Sequence, residues 1–538
     1  MKYRQEYLDK ELKTYGASDI YPFHMPGHKR QNMEMEHPER MDITEVEGFD
    51  NLHHAQGIIA KAQARMARVF GAQRSFFLVN GSTSGLLAAI SATVPKGGKI
   101  LIARNCHKAV YNAIYLRELS VEYVYPMQTA WGIQGSIDPE NVRNKLSQDP
   151  QIQAVLLTSP TYDGVVSDIE TIAEIVHAHN IPLIVDEAHG AHFGFSAGFP
   201  KKAHACGADL VIESMHKTLP AYTQSAALHV GGDRIDVDRL QKFLGIYQSS
   251  SPSYLLMAGL DRCVRILEEE GAERFAAYEK RLARFYQEMK GLKHLHVLSP
   301  NQIETSELPK ESVLPEDSGS SSVVQDRHAA GGIWDRDLSK ILIFCGQHIR
   351  RNLPMTGSVG GEAGMSGNKL ASILLKEYGL QVEMDSGHYV TALTSLMDTE
   401  EGFARLAAAL KEIDASVEPI VDLVSAAKAD DMQAESIMSK LAEGAWCKMI
   451  DILYQPKEKQ MEIAAATEAP CEMIAFAQAA DRISVEFAYL YPPGIPFLTP
   501  GEQIPENLPE VVTALLAEGF EIQGLEDLSG QRIKVASR

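Results

Sequence analysis

Ser214-Met215-His216-Lys217-Thr218 follows the apolar run Asp209-Leu210-Val211-Ile212, and the reading of that junction decides the fold. A second apolar run, Pro182-Leu183-Ile184-Val185, ends in Asp186-Glu187-Ala188-His189. Both read as buried strands, one closed by an acid and the other by a lysine. A carboxylate ionised at the end of an apolar strand needs a partner. Working outward, short apolar runs recur at 76–79, 100–102, 121–125, 155–157 and 226–230. Helical spacing appears between and before them, as in Ile58, Ile59, Ala62, Met66, Val69 and Phe70. Strands alternating with helices predict an α/β major domain with a mainly parallel, doubly wound sheet. The unbroken apolar character of the runs fits strands covered on both faces.

In an open parallel sheet, ligands bind beyond the carboxyl ends of the strands. Chemistry-bearing residues fall there repeatedly. Residues 76–79 are followed by Asn80-Gly81-Ser82-Thr83-Ser84-Gly85 and then an apolar helical run. Small hydroxyl residues at a helix N-terminus suit a phosphate, though a plain N-cap uses the same residues. Residues 100–102 lead to Arg104-Asn105-Cys106-His107-Lys108, where His107 is either a ring that lies on an aromatic cofactor or a surface histidine. Residues 155–157 lead to the turn Thr158-Ser159-Pro160-Thr161-Tyr162-Asp163-Gly164. Lys217 can form a Schiff base with an aldehyde, and Asp186 can hold a proton on a pyridine nitrogen. Together they predict pyridoxal 5'-phosphate (PLP) as cofactor.

The 538 residues are enough for several cores, with 45% apolar and 23% charged residues, as in ordinary globular chains. A formal net charge of −20 without a long Lys/Arg run argues against nucleic-acid or anionic-membrane partners. It suits a cationic small substrate or simple solubility. The six cysteines form no C-x-x-C, so neither a metal site nor a disulfide framework is expected. The charged N-terminus lacks a signal-peptide pattern and no apolar span is long enough for a bilayer, so a cytoplasmic protein is expected.

The chain divides into an N-terminal arm (1–55), a major domain (56–300) and a flexible Ser/Glu/Pro/Gly-rich insertion (301–332). A smaller α/β domain (333–428) and a C-terminal domain (429–538) follow. A long helix is predicted over 261–295. Strands are predicted at Leu342-Ile343-Phe344 and Val382-Glu383-Met384, and a turn-rich loop at 21–29.

Taken together, the chain resembles the Orn/Lys/Arg decarboxylase family of fold-type I PLP enzymes. The resemblance is carried by His24-Met25-Pro26-Gly27-His28-Lys29, Asn80–Gly85, Arg104–Lys108, Asp186–His192, Ser214–Lys217, and Tyr491-Pro492-Pro493-Gly494-Ile495-Pro496 with Pro500-Gly501-Glu502. It looks like the short form without an N-terminal wing domain, and it implies an α+β C-terminal domain. It implies that Lys217 is the Schiff-base lysine, that Asp186 pairs with the ring nitrogen, and that His107 stacks on the ring with Ala188 opposite. It places Ser82, Thr83, Ser84, Ser214 and His216 around the phosphate, and His189 near the ring oxygen or substrate carboxylate. His189 or Lys217 then returns a proton to the carbon that loses carbon dioxide. Ser249, in Gln248-Ser249-Ser250-Ser251-Pro252, is expected to lend its hydroxyl to a neighbouring subunit's phosphate. That implies a homodimer with a shared active site, or a higher assembly.

The expected reaction is decarboxylation of a basic L-amino acid in polyamine metabolism, arginine to agmatine being favoured over lysine or ornithine. The acids Asp42, Glu45, Glu47 and Asp50 of the arm, and Glu502, are candidates for the cationic substrate tail. Of these, Asp50, Glu47 and Glu502 are preferred. Two other readings stay open. One is an aminotransferase on the same fold, with Arg350 or Arg351 holding the carboxylate. The other is a non-catalytic PLP-binding regulator.

Overall fold

Seven apolar runs assemble into one sheet. In chain order they are β1 (Arg74–Leu78), β2 (Lys99–Ala103), β3 (Ser120–Val124), β4 (Ile152–Thr158), β5 (Leu183–Asp186), β6 (Leu210–Glu213) and β7 (Ala226–Val230). Across the sheet the order is β1-β7-β6-β5-β4-β2-β3. β7 is antiparallel to both neighbours and the other pairings are parallel. Register sets Asp186 beside Ile212 on one side and Thr158 on the other, so the carboxyl ends of β4, β5 and β6 align at mid-sheet. The computed structural model describes residues 8–31, 38–129, 131–299, 332–345, 365–417, 449, 452–490, 494–517 and 519–537.

Helices α1 (Ile58–Phe70), α2 (Gly81–Thr93), α3 (Lys108–Arg117) and α4 (Val237–Tyr247) precede the long α5 (Tyr254–Met289). α1 occupies the residues its spacing predicts, and Gly71 closes it at φ 76°. α2 is apolar on most faces because it lies between the sheet and helices α3 and α4.

The helix expected over 261–295 runs instead from Tyr254 to Met289. Ser253 caps its start by accepting the Leu256 N–H. After the helix, Asp414 accepts the N–H groups of Lys293, His294 and Leu295, which holds the chain extended. The result is β8 (Leu295–Val297), which joins a second, antiparallel sheet with β9 (Lys340–Cys345), β10 (Met384–Asp385) and β11 (Tyr389–Leu393). The small domain therefore begins before residue 300, earlier than expected.

The expected strand at 382–384 also divides at Glu383. Leu380–Val382 pairs in parallel with Tyr21–Phe23, while β10 pairs with β11. The arm thus adds a strand beside the small domain where only a loop was expected. In the C-terminal region Cys471–Ala475 pairs with Arg532–Ala536, and Ala488–Leu490 lies between Ile495–Leu498 and Ile522–Gln523. Helix Leu508–Ala517 packs there, giving the expected α+β unit. It docks at the β3 edge, where Lys459 Nζ donates to the Val121 carbonyl at 2.8 Å.

The insertion, apart from Gly332, lies outside the described residues, as do Arg350, Arg351 and Tyr491–Pro493. No helix among the described residues is long and apolar enough to cross a membrane.

Candidate active site

The end of β6 turns sharply through Ser214 into the short helical segment Met215–Thr218. The turn presents Lys217, half-buried, with Nζ 2.9 Å from His189 Nε2. Burial lowers Lys217 to about 8, against the opposing charge of Asp186. Burial and the Lys217 charge hold His189 well below the ordinary imidazole range. Its ring is therefore neutral, and its buried Nδ1 has no hydrogen-bond partner among the described residues. Asp186 is buried at the end of β5 and accepts the Ala188 N–H at 3.2 Å. Burial raises its carboxyl, with Lys217 opposing. Ala188 is buried next to it.

His107 caps α3, its Nδ1 accepting the Ala109 N–H at 3.2 Å. Burial and Lys217 lower it to about 4. His216 donates from Nδ1 to the Ser225 carbonyl at 2.9 Å, and burial lowers it to about 4.

Two chain turns meet at the start of α2. Ser214 Oγ donates to Ser82 Oγ at 2.9 Å, joining the lysine turn to the hydroxyl-rich loop. Ser82 is half-buried and Thr83 exposed. Ser84 differs: it is buried and its hydroxyl donates to the Gly81 carbonyl at 2.8 Å. That bond commits its proton within the helix. Ser249 lies at the same place, since its N–H donates to Asn80 Oδ1 at 3.1 Å within one chain. His53 Nε2 holds the Ser249 carbonyl at 2.8 Å, and Ser249 Oγ donates to the Ser251 carbonyl at 3.2 Å.

The arm and the small domain bring in residues to which the sequence assigned no role, Gly27 and Lys29 of the His24–Lys29 motif among them. Gly27 donates its N–H to the His216 carbonyl at 2.7 Å. A Cβ there would sit 2.8 Å from the Leu219 backbone, so only glycine permits this approach. Lys29 is buried and donates to the carbonyls of Pro22, His24 and Leu393 at 3.1, 2.9 and 2.7 Å. Glu383 accepts the Met25 N–H and the Tyr162 hydroxyl, each at 2.7 Å. Tyr162 in turn stands edge-on to His189, ring centres 4.9 Å apart. The charge of Glu383 favours protonated Lys217, which puts a carboxylate on the cleft. An acid inside the apolar pattern Val382-Glu383-Met384 was the available signal; Tyr162 read only as part of a turn.

The family model "Orn/Lys/Arg decarboxylase, major domain" matches residues 7–318, more than half of the chain, and "Orn/Lys/Arg decarboxylase, C-terminal domain" matches 439–522. The chain belongs to the Orn/Lys/Arg decarboxylase family. Basic amino-acid decarboxylation is the activity that membership carries, and it makes the protein a carboxy-lyase. It is similar to the arginine decarboxylase of Bacillus anthracis, 29% identical and covering 97% of this chain and 96% of that one. The arginine decarboxylase of Bacillus subtilis is 28% identical with the same coverage. Among solved structures, the constitutive lysine decarboxylase of E. coli superposes with a TM-score of 0.70 at 21% identity. That match covers 98% of this chain and 81% of the other. A serine palmitoyltransferase of Sphingomonas wittichii, at TM-score 0.52 and 12% identity, covers 74% and 88%, and shares the fold.

Two acids expected at the substrate tail have other work in this decarboxylase. Asp50 accepts the N–H groups of Asn51, Gln56, Gly57 and Ile59, and so caps the start of α1. Glu502 is buried and pairs with Arg104 at 3.0 Å while accepting the Thr499 N–H at 2.8 Å. Arg104 also donates to the Pro496 carbonyl, so this ion pair fastens the C-terminal domain to the end of β2. Both carboxylates are held by their own fold. Asp42, Glu45 and Glu47 are exposed on the arm.

Proposed function

We propose that this decarboxylase uses PLP bound beyond the carboxyl ends of β4, β5 and β6, and that its substrate is arginine, giving agmatine, with lysine or ornithine the lesser candidates. The observation that carries the reading is the convergence of Lys217, His189 and Asp186 at the ends of two adjacent strands. The residues fit the cofactor. A buried carboxylate beside a half-buried lysine matches a cationic ring nitrogen, and the buried His189 Nδ1, without a hydrogen-bond partner among the described residues, suits a polar cofactor atom. The paired hydroxyls of Ser82 and Ser214 at the N-terminus of α2 suit a phosphate. The preference for arginine follows the arginine decarboxylases that match nearly the whole chain.

In this reading Lys217 holds the cofactor and His107 and Ala188 face its ring. Ser82, Thr83, Ser214 and His216 surround the phosphate, with Ser249 offered to the site of a second copy in a cytoplasmic homodimer. PLP, when bound, accepts the electron pair released as the carboxylate leaves. Asp186 keeps a proton on the ring nitrogen, a charge-assisted bond that strengthens as electrons arrive. His107 is neutral, so it covers the ring without adding charge. Lys217 or His189, with Nζ and Nε2 2.9 Å apart, would return the proton to the substrate carbon. Glu383 supplies negative charge on the small-domain side of the cleft, where a cationic tail would be favoured.

Incubating the PLP-loaded enzyme with arginine, lysine and ornithine, and measuring carbon dioxide and amine, tests the proposal. Agmatine should dominate. A keto acid instead of an amine would favour the aminotransferase reading, and no turnover with any of the three would favour a binding protein.

A further inference from the structure

Lys340 and Asp337 are fully buried charges that the chemistry above does not use. Asp337 lies in the turn before β9, and Lys340 is the first residue of that strand. A buried ion pair is tolerated only where its remaining hydrogen-bonding capacity is met. Asp337 meets it on both oxygens. Oδ2 accepts Lys340 Nζ at 2.9 Å and Ser339 Oγ at 2.8 Å. Oδ1 accepts the Ser339 N–H and His192 Nε2–H, each at 2.9 Å. Lys340 Nζ then reaches out of the small domain and donates to the His189 carbonyl at 3.3 Å.

The loop after β5 is therefore gripped twice from the small domain, at the His189 carbonyl and at the His192 ring. There is little slack around it. A Cβ on Gly190 would lie 2.6 Å from Glu187 and 2.9 Å from Pro160. Gly164, at φ 86°, packs so that a Cβ would meet both Asp337 and Lys340 at 3.0 Å. This same loop carries the imidazole that sits 2.9 Å from Lys217.

We propose that Lys340 and Asp337 are positioning residues that, from the small domain, fix the His189–His192 loop and so set the contact between His189 and Lys217. The inference rests on Lys217 being the cofactor lysine. It makes the placement of the small domain something the reacting amine senses directly, through one carbonyl and one ring. The Lys340 ammonium also acts by charge. The groups that face Lys217 are Asp186 on β5, Glu383 beside β10, His189, His107 before α3, and Lys340 on β9. Of these, Lys340 disfavours a proton on Lys217, and Asp186 and Glu383 favour it.

The test compares Lys340→Met and Lys340→Arg holoenzymes in wild-type and His189→Ala backgrounds. Kinetics, the pH dependence of the bound-cofactor absorbance and the melting temperature are all measured. Lys340→Met should lower kcat roughly ten- to hundredfold while KM moves by less than about threefold. Its absorbance midpoint should shift to higher pH, because a repelling charge is gone, and Lys340→Arg should recover most of both effects. In the His189→Ala background the same substitution should lower kcat by less than about twofold, because the imidazole it positions is gone, while the absorbance midpoint should still move to higher pH through the charge alone. Should Lys340→Met not accumulate, Asp337→Asn carries the kinetic comparison alone; its absorbance midpoint should not move to higher pH, because the Lys340 charge remains. An equal loss in both backgrounds with an unmoved absorbance midpoint would overturn the proposal and leave a purely structural ion pair. A wild-type protein with no cofactor absorbance would instead sink the reading of Lys217, and the proposal with it.

Discussion

Lys217 and His189 stand 28 residues apart in the chain and 2.9 Å apart in space, one on the turn after β6 and the other on the loop after β5. The contact joins a half-buried amine to a neutral imidazole. Burial penalises charge on both, so Lys217 gives up its proton more readily than an ordinary lysine and His189 stays neutral.

Lys217 should react as an abnormally acidic lysine. In cofactor-free protein, acylation of Lys217 followed by peptide mapping should show a midpoint near pH 8, the value set chiefly by burial. With PLP added, borohydride should fix the label on the Lys217 peptide. Recovery of the label on another lysine removes the assignment.

Asp186→Asn should retain much of the bound PLP yet lose decarboxylation by about a hundredfold or more, since an amide cannot hold the ring proton. Spectroscopic titration of PLP and a carbon dioxide assay separate the two effects. Near-normal turnover would refute the role.

Glu502→Gln should act on stability rather than on substrate recognition. Breaking its buried pair with Arg104 leaves an uncompensated guanidinium, at a cost of about 3 kcal/mol. The melting temperature should fall while KM for the amino acid barely changes. The opposite pattern would restore Glu502 to the substrate tail.

Acid should loosen the fold through its buried histidines. Burial lowers His107, His204, His216 and His388 from 6.5 to about 4. Between those values the unfolded chain binds protons that the folded chain refuses, so stability drops as pH falls through that window. Melting temperatures measured from pH 7 to 4.5 should show the decline, and His204→Asn should flatten part of it. A flat profile in the wild-type protein would contradict the assignment.

Mixing Lys217→Ala with Ser249→Ala subunits tests the shared site. Neither parent should be active, and mixed dimers should regain activity at one intact site. Proven subunit exchange without recovery would show that Ser249 serves only its own chain, where it already bonds Asn80.

Much of the major domain was legible because its signals are local. Apolar runs name β1 to β7, and the spacing of 58–70 names α1, since strand and helix periods are written within a few residues. Strand ends were legible too, so Asp186, Lys217, Ser82 and His107 could be placed at one edge of the sheet. The start of the small domain was not legible. Asp414 holds the backbone of 293–295 extended from over a hundred residues away, and no local pattern announces that. Glu383 and Tyr162 were missed for the same reason, since each gains meaning only from the other and from Met25.

By itself the sequence determined the fold class, the order of strands and helices in the major domain, and the pairing of an acid and a lysine at strand ends. Those follow from periodicity and from the cost of placing charge beside apolar runs. Only the tertiary structure decided which carboxylate does what. Asp50 became a helix cap, Glu502 a buried partner of Arg104, and Glu383 the acid on the cleft. A carboxylate's role is fixed by the donors it meets and the water it loses, and here those donors include one 398 residues distant along the chain.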